Sequence, residues 1–447
     1  MTPDPLTALR RLCQPGPLRG DEAQRLAVDR DDLDEEFRPD LAIRRALLDP
    51  VIENPKVLLF GSRGCGKSTE LARVEQRLRE RFLVVGLDVG LNSMIKADLL
   101  RPEELLLLIG LSIAKAAESV WGYKADSDLA AMTRAIKPML PEKLSGKIDL
   151  SALTRGLVLF GTTIVDPSGV GAAVVKNLIE LTKDVVHFEY DVGGLLQPQA
   201  SNAPALELLS AVNALIRKVE EHGGRKPLLL VDDLDKIDDA ERSFTLLTEH
   251  DLLARLGCPM VIVGPSVLQQ ESKQLRLQNS FNEIVLLYHI RCRLREDPSQ
   301  PDPEGVQKLR ELVRRRVAQV TSGDLLSRPA EDLLVASCGG AVRDLVRLLE
   351  ISAAEAQYKE RPRIELEHAN SAVRKLRRRY ETYLATTDME CLRETRDTGR
   401  LPRLDGVALK LLNDNRILAY SNGSEWYYPH AILLPLLVDG APRPAGT

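Results

Sequence analysis

The sequence lacks three features that would each place it in a special class of protein: paired cysteines, a long apolar run and a strong net charge. Its six cysteines are so widely spaced that the closest two, Cys258 and Cys292, stand 34 positions apart, which excludes a Cys-x-x-Cys metal or redox motif. The apolar run at 105–114 has about half of the roughly 20 residues that a membrane helix needs, and the N-terminus shows no charged-then-apolar signal pattern. The formal net charge of −4 argues against binding of polyanions over the whole surface. We therefore expect a cytoplasmic protein with reduced thiols and no membrane segment.

The length and the apolar pattern predict two or three domains around an α/β core. The chain has 447 residues, of which 44% are hydrophobic and 28% are charged, an ordinary globular composition. Short apolar runs alternate with helical patterns, which is typical of a parallel sheet covered on both faces. The predicted strands are 56–60, 82–89, 227–233, 258–264 and 283–287.

The segment 61–69, Gly-Ser-Arg-Gly-Cys-Gly-Lys-Ser-Thr, follows the first predicted strand and opens an amphipathic helix over 68–82. It fits the P-loop pattern G-x-x-x-x-G-K-[ST] at every fixed position. The glycines let backbone N–H groups turn toward a polyphosphate, and the helix N-terminus adds the positive end of its dipole. We expect Lys67 to reach the β- and γ-phosphates and Ser68 to ligate Mg²⁺. The predicted nucleotide-binding residues are Gly61, Gly64, Cys65, Gly66, Lys67, Ser68 and Thr69.

Cys65 admits two interpretations. It lies inside the phosphate loop near a helix N-terminus, a place that favours the reactive thiolate, so its alkylation would block nucleotide binding. The alternative is a small side chain that fills the loop.

Two carboxylates, Asp232 and Asp233, end the third predicted strand. A P-loop enzyme needs an acid at the C-terminal end of a strand to hold the Mg²⁺ shell, and Asp232 stands at that position. Asp233 is placed to orient or deprotonate the attacking water, as a general base must. The pair therefore predicts the second half of the P-loop site, with an acidic turn that has no catalytic role as the alternative.

Beyond the predicted sheet the pattern changes to helices alone and then to a hairpin. A helix at 407–413 comes before Asn422-Gly423, which stands between two β-rich runs and is a strong hairpin signal; together they suggest a winged helix. His430 is predicted to be structural rather than catalytic. The predicted lid helices are 304–320, 329–337, 341–357 and 365–385. The predicted domains are a helical lead-in (1–50), a P-loop ATPase core (51–300) with a helical insertion at about 121–201, a helical lid (301–385), a winged-helix-like domain (386–440) and a disordered tail (441–447).

The lid supplies one candidate for contact with the nucleotide. Gly339 and Gly340 permit a close backbone approach just before a predicted helix. Arg343 lies in the first turn of that helix, from where it would point back at the γ-phosphate. Because Arg343 and Arg347 share one helix face, a surface arginine pair is the alternative.

This order of parts resembles the AAA+/STAND branch of P-loop ATPases, especially the initiator-like ATPases with a helical lid and a C-terminal winged helix. The resemblance covers roughly residues 35–440. Its Walker A residues correspond to Gly61, Gly66, Lys67 and Ser68, its Walker B acids to Asp232 and Asp233, and the sensor-2 arginine to Arg343. It implies a five-stranded parallel sheet with one strand between the P-loop and Walker B strands. It also implies ATP and Mg²⁺ as cofactors, with ATP bound where subunits meet.

The remaining family positions depart from the pattern or leave alternatives open. Asp233 stands where most AAA+ motors have Glu, and the double Asp resembles STAND switches. The sensor-1 position offers only Ser266. Arg276 resembles a finger that acts in trans, with Arg293 and Arg295 as rivals.

Three functions are consistent with these residues. The leading hypothesis is an ATP-binding and hydrolysing regulatory switch that self-associates and controls assembly with a partner protein on a separate chain, in anti-phage defence or signalling. It depends on a full ATPase core with no recognisable effector domain beside it. The alternative is a DNA-acting initiator or transposition-type ATPase. The third is a nucleotide-binding subunit that never hydrolyses ATP.

The DNA hypothesis depends on one basic helix, because the predicted recognition helix at 405–415 offers only Lys410 and makes a poor reader of the major groove. The basic residues are Arg374, Lys375, Arg377, Arg378 and Arg379, and the predicted apolar side of the same helix is Val373, Leu376, Tyr380 and Tyr383.

Overall fold

The computed structural model describes most of the chain and divides it into two compact units. The sheet unit comprises Pro39–Phe60 and Glu70–Val285, and the lid unit comprises Met1–Arg38, Gly61–Thr69 and Leu286–Thr447. Within the described residues, no helix combines the length and the apolar character needed to cross a bilayer. The described residues are 4–14, 16, 18, 20–28, 38–90, 92, 95–142, 150–157, 159–160, 192–237, 239–265, 268, 276–402 and 406–438.

The sheet is mostly parallel and has the strand order β3-β2-β4-β5-β1-β6. The pairs β2–β4, β4–β5 and β5–β1 are parallel, whereas the two-residue β3 pairs with β2 in the antiparallel sense. All residues of β1, β2 and β4 are buried, as expected of strands covered on both faces. The strands are β1 (Lys56–Gly61), β2 (Leu83–Asp88), β3 (Leu159–Phe160), β4 (Pro227–Asp232), β5 (Met260–Val263) and β6 (Glu283–Leu287).

The strand order confirms the predicted α/β class and one finer expectation. Strand β5 lies between β1 and β4, which is the order that the family resemblance implies. All five predicted strands are present. The short β3 was not predicted, because the sequence around it suggests only helices.

Helices make up most of the remaining described structure. They are α1 (Pro5–Leu12), α2 (Gly20–Leu26), α3 (Pro39–Leu47), α4 (Lys67–Leu78), α5 (Pro102–Trp121), α6 (Asp126–Ile136), α7 (Leu150–Gly156), α8 (Ala203–Gly223), α9 (Ala240–Thr248), α10 (Pro303–Ala318), α11 (Arg328–Ser337), α12 (Val342–Tyr358), α13 (Leu366–Glu381), α14 (Thr386–Thr398) and α15 (Gly406–Asn413).

The apolar run at 105–114 forms the middle of α5, where every residue is buried. A helix that is apolar all round belongs in a protein core. Glu104 is also fully buried there, and its carboxylate accepts hydrogen bonds from the N–H groups of Arg101, Gly194 and Leu196. Burial raises the pKa of Glu104, and these donors oppose that rise. The run is thus a core helix of the sheet unit.

One apolar core runs through the lid unit. It joins α1, the helices α10–α13 and the C-terminal segment; representative members are Leu9, Leu309, Leu349, Leu411 and Ile432. The C-terminal hairpin pairs β7 (Ile417–Ser421) with β8 (Glu425–Pro429), as predicted from Asn422-Gly423. The segments predicted as a lid and as a winged helix therefore share one core, and the winged-helix assignment itself stays a prediction.

Two expectations for the lid unit are wrong. The helix predicted over 365–385 ends at Glu381, and Tyr383 lies beyond it with φ of +64° and 88% of its surface exposed. Tyr383 therefore does not belong to the apolar face of α13. The helix predicted from His430 is a short 3₁₀ helix, Ala431–Leu436, which contains Pro435; a proline inside it removes a backbone donor.

Candidate nucleotide-binding site

The phosphate loop, residues 61–69, connects β1 to α4, so a glycine-rich turn leads from a buried strand into a helix N-terminus. Gly64 and Gly66 have φ of +85° and +110°, values that side chains other than hydrogen rarely permit. A Cβ on Gly64 would lie 2.8 Å from Arg343 Cβ. The backbone and the neighbouring lid residue therefore both require glycine at position 64.

Three carbonyls of the loop accept hydrogen bonds from the loop and from α4. Lys67 Nζ donates to Gly61 O at 2.8 Å and to Ser62 O at 3.1 Å. Ser62 O also accepts from the Cys65 N–H at 3.3 Å, and Gly66 O accepts from Thr69 at 2.9 Å. A trans peptide whose carbonyl faces a protein donor presents its N–H in the opposite direction. Successive N–H groups arranged in this way form an anion-binding nest.

Two further carbonyls of the loop accept from other segments of the lid unit. Arg63 O accepts from Asn415 Nδ2, and Gly64 O accepts from the Arg343 N–H at 3.4 Å. The Arg343 side chain is exposed, and its Cβ, Cδ and Nε atoms pass close to Gly64. The structure thus brings the predicted sensor-2 arginine to the phosphate loop, whereas Asn415 was not predicted to reach it.

Cys65 is completely buried, and a Cβ on Gly61 would lie 2.8 Å from its sulfur atom. A buried thiol packed against the loop backbone fits the interpretation of Cys65 as a loop filler.

The turn before α12 sets the position of Arg343. Gly339 and Gly340 have φ of +61° and +90°, and a Cβ on Gly340 would lie 1.9 Å from Ile290 O. The predicted close backbone approach is therefore present. No other residue fits position 340 without moving the chain.

Asp344, the residue after Arg343, anchors the start of α12. Its carboxylate is 1% exposed, accepts a hydrogen bond from the Tyr380 hydroxyl, and lies 3.1 Å from Arg347 Nη1 and 3.3 Å from His430 Nε2. Burial by itself raises the pKa of Asp344, but His430, Tyr380 and Arg347 together hold this pKa below its usual value of 3.8. The carboxylate therefore ties α12 to α13 and to the residue after β8.

The contacts of Asp344 give His430 the structural role predicted for it. His430 is fully buried, and its Nδ1 accepts from the Ile432 N–H at 3.2 Å. In the neutral ring the proton then lies on Nε2, which faces Asp344. Arg347 likewise pairs with Asp344 and does not form a free surface pair with Arg343.

In the sheet unit, β4 ends on Asp232, which is 2% exposed. Its Oδ1 accepts from the Asp233 N–H at 2.9 Å. Because β4, β5 and β1 run parallel, their carboxyl ends lie at one edge of the sheet, the edge at which open α/β sheets bind ligands.

Asp233 has φ of +69°, and its Oδ2 lies 2.7 Å from Lys236 Nζ. A Cβ on Gly90 would lie 2.2 Å from the same carboxylate oxygen. Neither Lys236 nor Gly90 was predicted from the sequence. Each of them follows the end of a predicted strand, and this position is the sequence feature that could have identified them.

Asp88 is a further carboxylate of the sheet unit, and it was not predicted. It ends β2, is 2% exposed, and is the register partner of Asp232. Its position at the end of the predicted strand 82–89 was visible in the sequence. The adjacency of β2 and β4 was not, because it depends on strand order.

The candidate finger arginines differ in their surroundings. Arg276 is exposed, with its guanidinium carbon 4.4 Å from the centroid of the Phe244 ring. Arg293 Nη1 donates to Pro298 O at 2.7 Å, and Arg295 Nη1 donates to a serine of the β7–β8 turn. The sensor-1 candidate Ser266 lies outside the described residues.

The basic helix α13 buries the predicted Val373, Leu376 and Tyr380. Two of its cations are engaged: Lys375 pairs with Glu355, and Arg377 Nε donates to Ile432 O at 3.0 Å. The other three, Arg374, Arg378 and Arg379, are exposed.

On α15, Lys410 lies 3.5 Å from Asp388. The one cation predicted for the recognition helix is therefore paired within the lid unit.

No protein-family model and no curated protein matches the chain. Among solved structures, the chain is similar to the Aeropyrum pernix Orc1 protein in complex with DNA, at 13% identity and a TM-score of 0.43, over 96% of this chain and 97% of that one. It is similar to the Aeropyrum pernix Orc2 protein in ADPNP–ADP complexes, at 14% identity and 0.42, over 94% and 93%. The Thermotoga maritima RuvB Holliday junction branch migration motor matches at 12% and 0.38, over 94% and 95%. All three TM-scores are below 0.5, so these similarities support no functional assignment. The function is therefore argued from the residues of this chain.

The Asp344 anchor generates a prediction for Tyr380→Phe. Loss of the hydroxyl leaves a buried carboxylate with one donor fewer, so unfolding free energy at pH 7 should fall by about 1–3 kcal/mol. Because the Asp344 pKa is lowered in the folded state, its stabilising contribution is present above about pH 4 and is lost as the pH falls through the folded pKa. Urea unfolding from pH 7 down to about pH 2 measures whether the wild-type and variant curves converge in acid.

The control for this prediction is Tyr358→Phe, since Tyr358 is 88% exposed. It should leave stability unchanged at every pH. Equal stability of Tyr380→Phe and the wild type at pH 7 would contradict the anchor.

Proposed function

We propose that this protein is an ATP-binding and ATP-hydrolysing P-loop ATPase of the AAA+ initiator-like type. One observation carries the proposal: every carbonyl from Gly61 to Gly64 accepts a protein donor, in a loop that leads from a buried strand to a helix N-terminus. Such a loop offers its N–H groups to an anion. The strand order, with β5 between β1 and β4, supports the same assignment.

In this proposal the loop holds the nucleotide phosphates. The N–H groups of Gly64 and Gly66 and the ammonium group of Lys67 bind phosphate oxygens, and Ser68 and Thr69 complete the loop at the start of α4. The Cys65 N–H, which now donates to Ser62 O, would exchange that acceptor for phosphate. Lys67 now donates to two carbonyls of its own loop, those of Gly61 and Ser62. Phosphate oxygens would replace those carbonyls as acceptors.

The Mg²⁺ ion would be held by the Ser68 hydroxyl and, through its shell, by Asp232. Hydroxyl and carboxylate oxygens are the donors that Mg²⁺ prefers. The bound ion supplies charge neutralisation on the transferred phosphoryl group.

Asp233 is the proposed general base, which orients the attacking water. Its ion pair with Lys236 competes with the water for the carboxylate, and we therefore infer slow hydrolysis. Arg343 would stabilise charge on the γ-phosphate from the lid side. A chain that binds nucleotide and never hydrolyses it is the competing interpretation, and single-turnover kinetics separate the two.

Self-association would add an arginine in trans. Of the three candidates, Arg276 is exposed and, within the described ranges, its guanidinium group contacts only the Phe244 ring, whereas Arg293 and Arg295 already donate to other groups. The proposal therefore assigns Arg276 as the finger.

Among biological roles, the DNA-acting alternative has the better support. The exposed Arg374, Arg378 and Arg379 on α13 have no ion-pair partner in the described part of the chain, and phosphate contacts require such free cations. A regulatory switch that controls a partner protein in defence or signalling has no comparable feature among the described residues. We propose DNA binding through α13 rather than through α15.

Substitutions of Lys67 and Asp233 test nucleotide binding and hydrolysis. Lys67→Ala should weaken ATP binding about 10- to 100-fold, because a charged hydrogen-bond donor to phosphate is lost. Asp233→Asn should keep the affinity for ATP and lower the hydrolysis rate by about 10². Calorimetry with a non-hydrolysable ATP analogue and single-turnover ATPase assays measure both.

The matched control for Lys67 is Lys359→Ala, an exposed lysine that pairs with Glu367; it should change neither quantity. Unchanged ATP affinity of Lys67→Ala would reject the P-loop assignment. A wild type that binds ATP without single-turnover hydrolysis would identify a passive nucleotide-binding subunit.

The second prediction concerns assembly. Light scattering should show a discrete oligomer with the ATP analogue and a smaller species with ADP, and Lys67→Ala should stay small in both. Arg276→Ala should keep the oligomer and lower hydrolysis by about 10³ or more, as loss of a trans finger does. Arg255→Ala, which changes another exposed arginine of the sheet unit, is the control. A mass that never changes with nucleotide would remove the trans role.

The third prediction concerns DNA. Replacement of Arg374, Arg378 and Arg379 by Ala should weaken binding of a short random-sequence duplex and reduce the slope of log K against log salt by about 3, one for each lost phosphate contact. Fluorescence anisotropy at several salt concentrations measures the slope. Arg314→Ala, an exposed arginine that pairs with Glu331, should leave it unchanged. Salt-independent or absent binding by the wild type would reject the DNA proposal.

A further inference from the structure

Asn415 connects the C-terminal segment to the phosphate loop. It lies between α15 and β7, is 6% exposed, and donates from Nδ2 to the carbonyl of Arg63. Both residues belong to the lid unit. The contact joins two segments that are more than three hundred positions apart in the chain.

The turn at Asn415 does not need the asparagine side chain. The Asn415 N–H donates to Leu412 O at 3.1 Å and the Arg416 N–H donates to Leu411 O at 2.8 Å, which closes the end of α15. The residue has φ of +56°. Glycine adopts this left-handed conformation at a helix end more readily than asparagine does. The backbone alone would therefore favour Gly at this position.

The buried amide of Asn415 is also only partly satisfied. Its Oδ1 has no hydrogen-bond partner within the described ranges, and a buried acceptor in that state is unfavourable. If the amide oxygen and nitrogen of Asn415 were exchanged, Oδ1 would face the carbonyl oxygen of Arg63, and both atoms are acceptors. The one strong contact of the side chain is therefore the Nδ2 donation to the loop.

That contact fixes the direction of a peptide in the phosphate-binding turn. Because the peptide is planar and trans, a carbonyl of Arg63 directed to Asn415 turns the N–H of Gly64 to the opposite side. The next carbonyl, that of Gly64, accepts from the Arg343 N–H. Two successive peptides of the loop are thus oriented by the lid unit, one of them by a side chain.

We propose that Asn415 is a positioning residue of the phosphate loop, which holds the Arg63–Gly64 peptide ready for phosphate and so links nucleotide occupancy to the C-terminal hairpin. This inference rests on the proposed nucleotide binding. Coupling of this kind is reciprocal. Bound nucleotide therefore stabilises the segment from Asn415 through β8, to the same extent that this segment strengthens nucleotide binding.

The decisive variant is Asn415→Gly, because it keeps the left-handed backbone and removes only the amide. It should weaken ADP binding about fivefold, as expected for loss of one hydrogen bond, with an unchanged melting temperature in the absence of nucleotide. Asn415→Asp should weaken it further, because a carboxylate faces a carbonyl near bound phosphate. Calorimetry with ADP gives the affinities. Asn422→Gly, the same substitution in the β7–β8 turn, should bind ADP like the wild type.

Hydrogen exchange supplies a second readout that does not depend on a variant. Addition of ADP to the wild type should slow exchange of the β7 and β8 amides, and this protection should disappear in Asn415→Gly at ADP saturation. Equal ADP affinity of Asn415→Gly and the wild type, or no protection of the hairpin in the wild type, would overturn the inference while leaving the proposed ATPase intact. A wild type that binds no ADP would instead reject the proposed function, and with it the inference.

Discussion

The carbonyl groups of the phosphate loop impose the constraint on which the rest of the lid unit depends. A backbone that presents N–H groups to an anion must place its carbonyls elsewhere, and each needs a donor. Lys67 and Cys65 supply donors from within the loop and α4, and Arg343 and Asn415 supply them from distant segments. The loop therefore clusters with the lid unit, although it continues directly from a strand of the sheet.

The same requirement explains why one apolar core joins the lid helices to the C-terminal segment. Arg343 can donate to the loop only if the first turn of α12 is fixed, and the buried carboxylate of Asp344 fixes it through Tyr380 and His430. A buried charge with these donors is costly to leave unpaired. The helices and the C-terminal segment must consequently pack together, and they share apolar residues from α1 to the 3₁₀ helix.

Features with a local sequence pattern were predicted correctly, whereas contacts between distant segments of the chain were not. The strands of the parallel sheet are continuous apolar runs, and the glycines of the phosphate loop have a fixed spacing. Both features could therefore be predicted from the sequence. Tyr383 has the spacing of the apolar residues of α13, but it lies beyond the end of this helix at Glu381. No contact with the loop was predicted for Asn415, because its approach to Arg63 requires the fold. The position of Asp88 at a strand end could likewise be predicted, but its proximity to Asp232 depends on the strand order.

In the proposed ATPase, binding and hydrolysis draw on separate groups. The donors that shape the phosphate loop are complete without Asp233, whose carboxylate is held by Lys236 beside the backbone of Gly90. Asp233 must exchange Lys236 for water before it can act as a base, and Lys67 must exchange the carbonyls of Gly61 and Ser62 for phosphate oxygens. The two exchanges involve different residues, so nucleotide binding need not follow the rate of hydrolysis. In the proposal, the contacts of Arg343 and Asn415 with the loop link its bound state to the rest of the lid unit.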